Sequence, residues 1–392
     1  MQYTKMYNIL KNCFSFKETS ISLPNLNAHI QMHSFTSTPT LNPFYHYSVK
    51  QEKLTSCADA QMEENNHFLY PIMVPDSIPE HKKWGNAILL LHGLNERSWE
   101  KYLPWALSLC ESTQRPVILF PISFHMNRAP IQWGNPRAML PFLKQQKAEM
   151  GPMPNASFVN IALSQRLRNN PLRFYLSGQQ SANDIIGLLT KIKVGDHPLF
   201  NANAQVDFFA YSIGAFLSQI MFLSNPERLL DTSRLFMLCG GALFSLMDGN
   251  SKLIMDQEAF KKLKEIYVHH IDKSYHNLPS LSSHLQKSSL GRAFMAMLNE
   301  KNMKPQREER FLKLQNRIHA VGMGKDQVIP ASSIQQTLSL WNKNMDHTVE
   351  VIDPNYSYTH ETPFPVTNAK ISHIVDQSFD QIFCTAAKFF NK

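Results

Sequence analysis

The sequence predicts an α/β protein: a mostly parallel central sheet flanked by helices, with a helical insertion late in the chain. Three observations carry that expectation. Asn86–Leu91 is a nearly continuous apolar run, as a strand buried on both faces requires. Val206-Asp207-Phe208-Phe209-Ala210 is a second such strand, and it leads through Tyr211-Ser212 into an apolar helix that runs to Asn225-Pro226. Short apolar strands recur at Leu235–Cys239, Ile318–Val321 and Val349–Ile352, separated by helical segments. That rhythm belongs to parallel strands joined by crossovers.

The elements follow in order. Residues 1–70 are polar and irregular, and the alternating stretches Ile21–Ile30 and Phe44–Val49 predict early antiparallel strands. Residues 71–242 and 317–392 make the core. Within it, Trp99–Cys110 is expected as a helix and Pro116–Phe120 as the next strand. An insertion over 121–172 is too polar and too punctuated by Pro and Gly for core. Ser181–Lys193 is an apolar-periodic helix, and the last helix falls near residues 370–391. Residues 243–316 are helical by periodicity and break the strand–helix rhythm, so they read as a cap. Phe294, Met297 and Leu298 share one face there and are expected to wall a cleft.

Composition narrows the function classes. With 392 residues, 43% of them apolar, the chain can bury a large core. No run approaches the ~18 apolar residues of a membrane helix. The amino terminus lacks a secretory apolar segment, so a cytoplasmic location is expected. Five scattered cysteines indicate neither a disulfide framework nor a metal cluster, and Cys239 reads as a buried free thiol. The net charge of +8 is concentrated in Lys252–Arg317, where thirteen Lys and Arg face seven Asp and Glu. That excess is either a solvated helical face or a field that steers substrates with an anionic part. The basic residues are not interleaved with aromatics, so no nucleic-acid partner is expected.

The chemistry concentrates at Gln205–Gly214. A serine between a strand and a helix, with small residues two before and two after, is the pattern of a nucleophile elbow. Ala210 stands where the usual pattern has glycine, and Gly214 matches it. Ser212 is then held at the carboxyl end of the sheet, at a helix amino end. Upstream, His92-Gly93-Leu94-Asn95 directly follows the Asn86–Leu91 strand, where a backbone N–H near Leu94 could meet an oxyanion; the N–H of Ile213 would be its partner. Downstream, Asp326 lies just past the Ile318–Val321 strand, and His360 lies on the loop after Val349–Ile352. Ser212, Asp326 and His360 stand in the chain order of a Ser–Asp–His set. Asp353 competes as the acid, and His347 as the base. His92, His125, Asn127, Arg128, Trp133 and Arg137 are candidates at the rim. They either bind a polar substrate or brace loops, and bracing is favoured for the His92 side chain.

With these residues in view, the chain resembles the α/β-hydrolase fold superfamily. Within it, the chain is similar to an uncharacterised bacterial group of α/β-hydrolase-like proteins. The resemblance rests on Leu91-His92-Gly93-Leu94-Asn95, Phe120–Pro130, Ala210-Tyr211-Ser212-Ile213-Gly214 and Tyr358-Thr359-His360-Glu361, and covers most of residues 70–392. It implies a fold and a Ser212, His360, Asp326 triad but no substrate. Together these readings predict a serine hydrolase that cleaves a small-molecule ester, or a thioester or amide, and needs no metal or organic cofactor. A non-catalytic ligand- or partner-binding protein and an acyltransferase using the same residues remain open.

Overall fold

In the structure, a computed structural model that describes residues 1–37, 54, 57–77, 82–271, 279–339 and 349–392, the apolar runs pair into a single sheet. Its described strands are β1 (Ser20–Ser22), β2 (Ala28–Thr36), β3 (His67–Pro75), β4 (Trp84–Leu91), β5 (Val117–Leu119), β6 (Phe200–Tyr211), β7 (Leu235–Leu238), β8 (Ile318–Met323) and β9 (Val349–Ile352). They lie in the order β1-β2-β3-β5-β4-β6-β7-β8-β9. The β1, β2 and β3 edge is antiparallel, including the pairing of β3 with β5, and every pair from β5 to β9 is parallel.

Strand β4 sits between β5 and β6, so the chain leaves it toward one side and returns on the other. A ligand crevice forms where neighbouring parallel strands send their crossovers in opposite directions. Leu91 lies opposite Ala210, so β4 and β6 end level. The loop after β4 and the turn after β6 therefore emerge side by side.

Alternation along the strands builds two cores. Ile88, Leu90 and Phe209 face the helices Tyr3–Cys13, Leu103–Thr113 and Ser372–Phe390. Leu89, Phe208 and Ala210 face the helices Leu172–Val194 and Ile213–Ser224. Asp207 is buried within β6 and accepts a hydrogen bond from Arg115 (2.8 Å). Arg115 and Arg234 also donate to the carbonyl of Phe390, which satisfies the exposed carboxyl end of the last helix.

The structure departs from the sequence reading in four places. The N-terminal helix Tyr3–Cys13 was not expected. Its buried residues Tyr3, Met6 and Leu10 form a stripe too narrow to stand out among polar neighbours. Ile21–Ile30 is not one strand: Pro24 and left-handed Asn25 turn the chain, and Ile21 pairs with Ile30 across β1 and β2. The insertion is largely helical, at Pro136–Met150 and Ile161–Asn169, and it packs a small core of its own around Trp133, Met139, Leu143 and Ile161. The helix before β6 starts at Leu172 rather than Ser181. Phe44–Val49 and His347 lie outside the described residues.

Residues 243–316 contribute the helices Gln257–Lys264, Pro279–Lys287, Ser289–Leu298 and Lys304–Leu314 between β7 and β8. Their aromatic and aliphatic faces join the same core as Ile213–Ser224. Several of their cations serve structure. Arg307 is buried and donates to the carbonyls of Ala296, Asn299, Asn302 and Glu300. Lys262 donates to the carbonyl of Arg168, and Lys264 to that of Ser245. Among the described residues, no helix is long and apolar enough to cross a membrane.

The crossing of β4 by the Ile213–Ser224 helix has no spare room. A Cβ at Gly214 would lie 2.8 Å from the carbonyl oxygens of both Leu91 and His92. Gly214→Val is therefore expected to lose about 1–3 kcal/mol of stability, read as a lower urea midpoint. Ala210→Gly should shift that midpoint far less.

Candidate active site

Ser212 is the residue on which the turn pivots. It has φ 55° and ψ −120°, a conformation that an L-residue holds only when its surroundings impose it. Those surroundings are close. The Ser212 N–H donates to the carbonyl of Leu238 (3.3 Å), and a Cβ at Gly240 would lie 2.4 Å from that of Ala215. The strain lifts the Ser212 hydroxyl off the sheet while leaving it mostly buried.

A continuous hydrogen-bonded line starts from that hydroxyl. Ser212 Oγ lies 2.7 Å from His360 Nε2, and His360 Nδ1 lies 2.7 Å from Asp326 Oδ2. The other oxygen, Asp326 Oδ1, accepts the N–H groups of Val328 and Ile329, each at 2.9 Å. The aspartate cannot rotate without breaking those bonds. The Nδ1 contact to a carboxylate assigns the proton to Nδ1 and leaves Nε2 facing the serine. Tyr211 donates its hydroxyl to the carbonyl of His360 and stacks on the imidazole, with ring centroids 5.5 Å apart. Asp353 lies elsewhere, bound by the Tyr358 hydroxyl (2.8 Å) and Lys325 (3.2 Å).

The loop after β4 faces Ser212. The N–H of Gly93 is taken by the Tyr102 hydroxyl (2.9 Å), which in turn donates to Glu96 (2.9 Å). The N–H groups of Leu94 and Ile213 donate to no acceptor among the described residues, and both residues line the cavities beside Ser212. Glu96 also pairs with Lys101, which donates to the carbonyl of Glu361 (3.1 Å). The loop after β4 is thus tied to the loop that carries His360. Asn95, with φ 61°, donates to the carbonyls of Val159 and Leu253, which fastens the insertion and residues 243–316 to the same loop. Sequence reasoning missed Glu96, Lys101, Tyr102 and Tyr211. Gly93, Glu96, Lys101 and Tyr102 lie within ten residues of one another in no recognised motif, and only the folded chain brings Lys101 to Glu361 and Tyr211 to His360.

Two apolar cavities adjoin the serine. The smaller is lined by Ser212 itself with Phe244, Met247, Met255 and Phe260. The larger encloses about 670 Å³, open mouth included, and its walls include Leu94, Phe174, Phe216 and Phe294. Residues 243–316 therefore wall both. Met297 and Leu298, expected beside Phe294, are buried in the core instead of lining either.

Most rim candidates turn out to brace the fold. His92 is fully buried; its Nε2 accepts the N–H of Ile122 (2.9 Å), and Nδ1 meets the carbonyl of Gly93 (2.8 Å). Burial, with the neighbouring His125, holds its pKa well below the usual histidine value. Arg128 is fully buried, donates to the carbonyls of Asn65 and Pro121 and pairs with Asp184 (2.8 Å), so it has no charge to offer a ligand. Asn127 donates to the carbonyl of Leu69, Trp133 packs in the core of the insertion, and Arg137 is exposed on a helix away from the cavities. Of the six, His125 alone lines a cavity next to Ser212. Cys239 is buried near Asp326; burial, then the aspartate's charge, pushes its thiol well above the usual range, so it stays protonated.

The sheet order, the strained serine turn and the residues gathered at the ends of β4, β6, β8 and β9 define an α/β-hydrolase fold. The chain belongs to the family described as "Family of unknown function (DUF6051)", which matches residues 1–391. No protein of curated function matches it in sequence. Solved structures similar to it include vibralactone cyclase, at 10% identity and a TM-score of 0.43, covering 100% of this chain and 86% of that one. A bacterial heroin esterase matches at 11% identity and 0.45, covering 92% and 84%. Carboxyl esterase 2 from Tuber melanosporum matches at 10% and 0.42, covering 96% of each. These likenesses concern the fold and say nothing of substrate.

The buried histidines set an acid limit on the fold. Burial lowers His125 and His197 to about 3 and His319 to about 4. The unfolded chain holds such groups near ~6.5, so below that pH it binds protons that the folded chain refuses. Stability is expected to fall as pH drops from about 6.5 toward 4, seen as falling urea midpoints. His319→Gln should flatten part of that slope.

Proposed function

We propose that the protein is a serine hydrolase that cleaves an ester through an acyl-enzyme; a thioester or amide would use the same steps. The observation that carries this reading is the line from Ser212 Oγ through His360 to Asp326, set at a strained turn beside an apolar cavity. In this mechanism Ser212 attacks the carbonyl carbon as its proton passes to His360 Nε2. Asp326 holds the Nδ1 proton and stabilises the imidazolium. The N–H groups of Leu94 and Ile213 stabilise the oxyanion. His360 then protonates the leaving oxygen, and water, activated by the same imidazole, releases the acid.

The cavities favour a neutral, largely apolar substrate. Among the described residues, no Lys or Arg lines either one. Lys262, Lys264 and Arg307, among the cations of residues 243–316, are engaged by backbone carbonyls and hold structure together, which argues against a binding role for an anionic group inside. We assign residues 243–316 the role of a cap that shields the acyl-enzyme from water.

A fluorophosphonate probe is expected to label Ser212, and a p-nitrophenyl ester panel of increasing chain length to show turnover. Ser212→Ala should abolish labelling and lower the rate by roughly 10⁴–10⁶-fold, with an unchanged thermal melt. A folded wild type that neither labels nor turns over any ester would favour the binding-protein reading. Asp326→Asn should retain labelling at a reduced rate, with kcat down on the order of 10³–10⁴-fold, because the amide no longer fixes the imidazole tautomer.

A further inference from the structure

The larger cavity beside Ser212 is mostly apolar, and its polar side chains are those of His125, Tyr175, Ser177 and Gln179. Ser177 donates to the carbonyl of Phe174 and Gln179 meets His284, whereas His125 and Tyr175 each keep one buried atom that the fold leaves unpaired. Leu94, Ile122, Phe174, Phe216, Leu217 and Phe294 form much of its wall. His125 and Tyr175 also line it, and both are at least nine-tenths buried. His125 Nε2 and the Tyr175 hydroxyl have no hydrogen-bond partner among the described residues. An unpaired buried polar atom costs about 1–3 kcal/mol, so two such atoms on one cavity need a reason.

Their chemistry says what would pair them. His125 Nδ1 lies 2.8 Å from the carbonyl of Ser123, which places the proton on Nδ1 and leaves a lone pair on Nε2. Burial, then the charges of Arg97 and Arg128, lowers its pKa to about 3, so at neutral pH Nε2 only accepts. Burial raises the Tyr175 phenol well above its usual range, so it remains a neutral donor and acceptor. A hydroxyl is complementary to this pair because it donates to Nε2 and accepts from the phenol. A carboxylate has no proton for His125, and a plain hydrocarbon leaves both atoms unmet.

We propose that this cavity selects a substrate whose apolar part carries a hydroxyl group, held by His125 and Tyr175. The word substrate here rests on the hydrolase reading; the binding does not. The test compares p-nitrophenyl esters of straight-chain acids of equal length, with and without a chain hydroxyl whose position is walked along the chain. At one or more positions the hydroxylated ester should have a kcat/KM at least about tenfold higher. Tyr175→Phe and, separately, His125→Phe should each reduce that ratio by about fivefold. The same pairs, as methyl esters, are titrated calorimetrically into Ser212→Ala, which binds without turnover. Tighter binding of the hydroxylated ester with no turnover by wild type would keep the site and remove the hydrolase reading. Turnover of both series with equal kcat/KM and equal Kd at every position would overturn the proposal and keep the hydrolase. The wild-type comparison decides the matter even if a variant fails to fold.

Discussion

The carbonyl oxygens of Leu91 and His92 press against Gly214, and the geometry of the site depends on that contact. Because no side chain fits there, the helix that follows Ser212 can cross the end of β4 at backbone distance. The chain can enter that helix only through a turn that drives Ser212 to positive φ. The same approach brings the loop after β4 beside the helix amino end, so Leu94 and Ile213 line the same cavities. It also sets the helix on which residues 243–316 pack. The position of Ser212, the neighbouring loop after β4 and the seat of residues 243–316 follow from a single steric fit.

Charge fixes the more distant parts. Asp59 receives Arg166 (3.0 Å) and Arg173 (2.7 Å), Asp184 receives Arg128, and Asp256 receives Arg168, all in poorly exposed surroundings. Burial pushes the Asp59 carboxyl up, and its two arginines outweigh it, so it ionises below its usual range. Such pairs gain little over packed hydrocarbon, yet losing one partner strands a charge at about 3–5 kcal/mol. They therefore specify arrangement. The pair at Asp256 sets the first helix of residues 243–316 against the insertion, and the pairs at Asp59 tie the insertion to the segment before β3. The polarity that made residues 121–172 read as non-core is in part this internal wiring.

Much of the site was legible because its signals are local. A serine between small residues after an apolar strand, an aspartate after the next strands and a histidine after the last can each be read within a few residues. Their order along the chain then matches the order of the sheet. The N-terminal helix was missed because its buried stripe of Tyr3, Met6 and Leu10 is narrow. The split between β1 and β2 was missed because alternation continues across the turn at Asn25. Arg128 and Asn127 looked like rim residues because a long loop after a parallel strand commonly reaches the active site. Only tertiary structure revealed that Asp184 and the carbonyls of Asn65, Pro121 and Leu69 claim them. Tyr102, Glu96 and Lys101 are close to Gly93 in sequence, but their spacing fits no known motif, and the carbonyl of Glu361 that Lys101 holds comes from a remote loop.

Tyr211 adjoins the serine along β6 and holds the histidine across space. Its hydroxyl grips the His360 carbonyl, its ring lies against the imidazole, and the Lys101 ammonium sits 4.6 Å from the ring centre. The Ser212 hydroxyl and the His360 ring are thereby both held from the carboxyl end of β6, as two jaws on one frame. Substitutions in residues 243–316 can then reshape the cavities while the spacing of Ser212 and His360 stays anchored to the buried carboxyl end of β6.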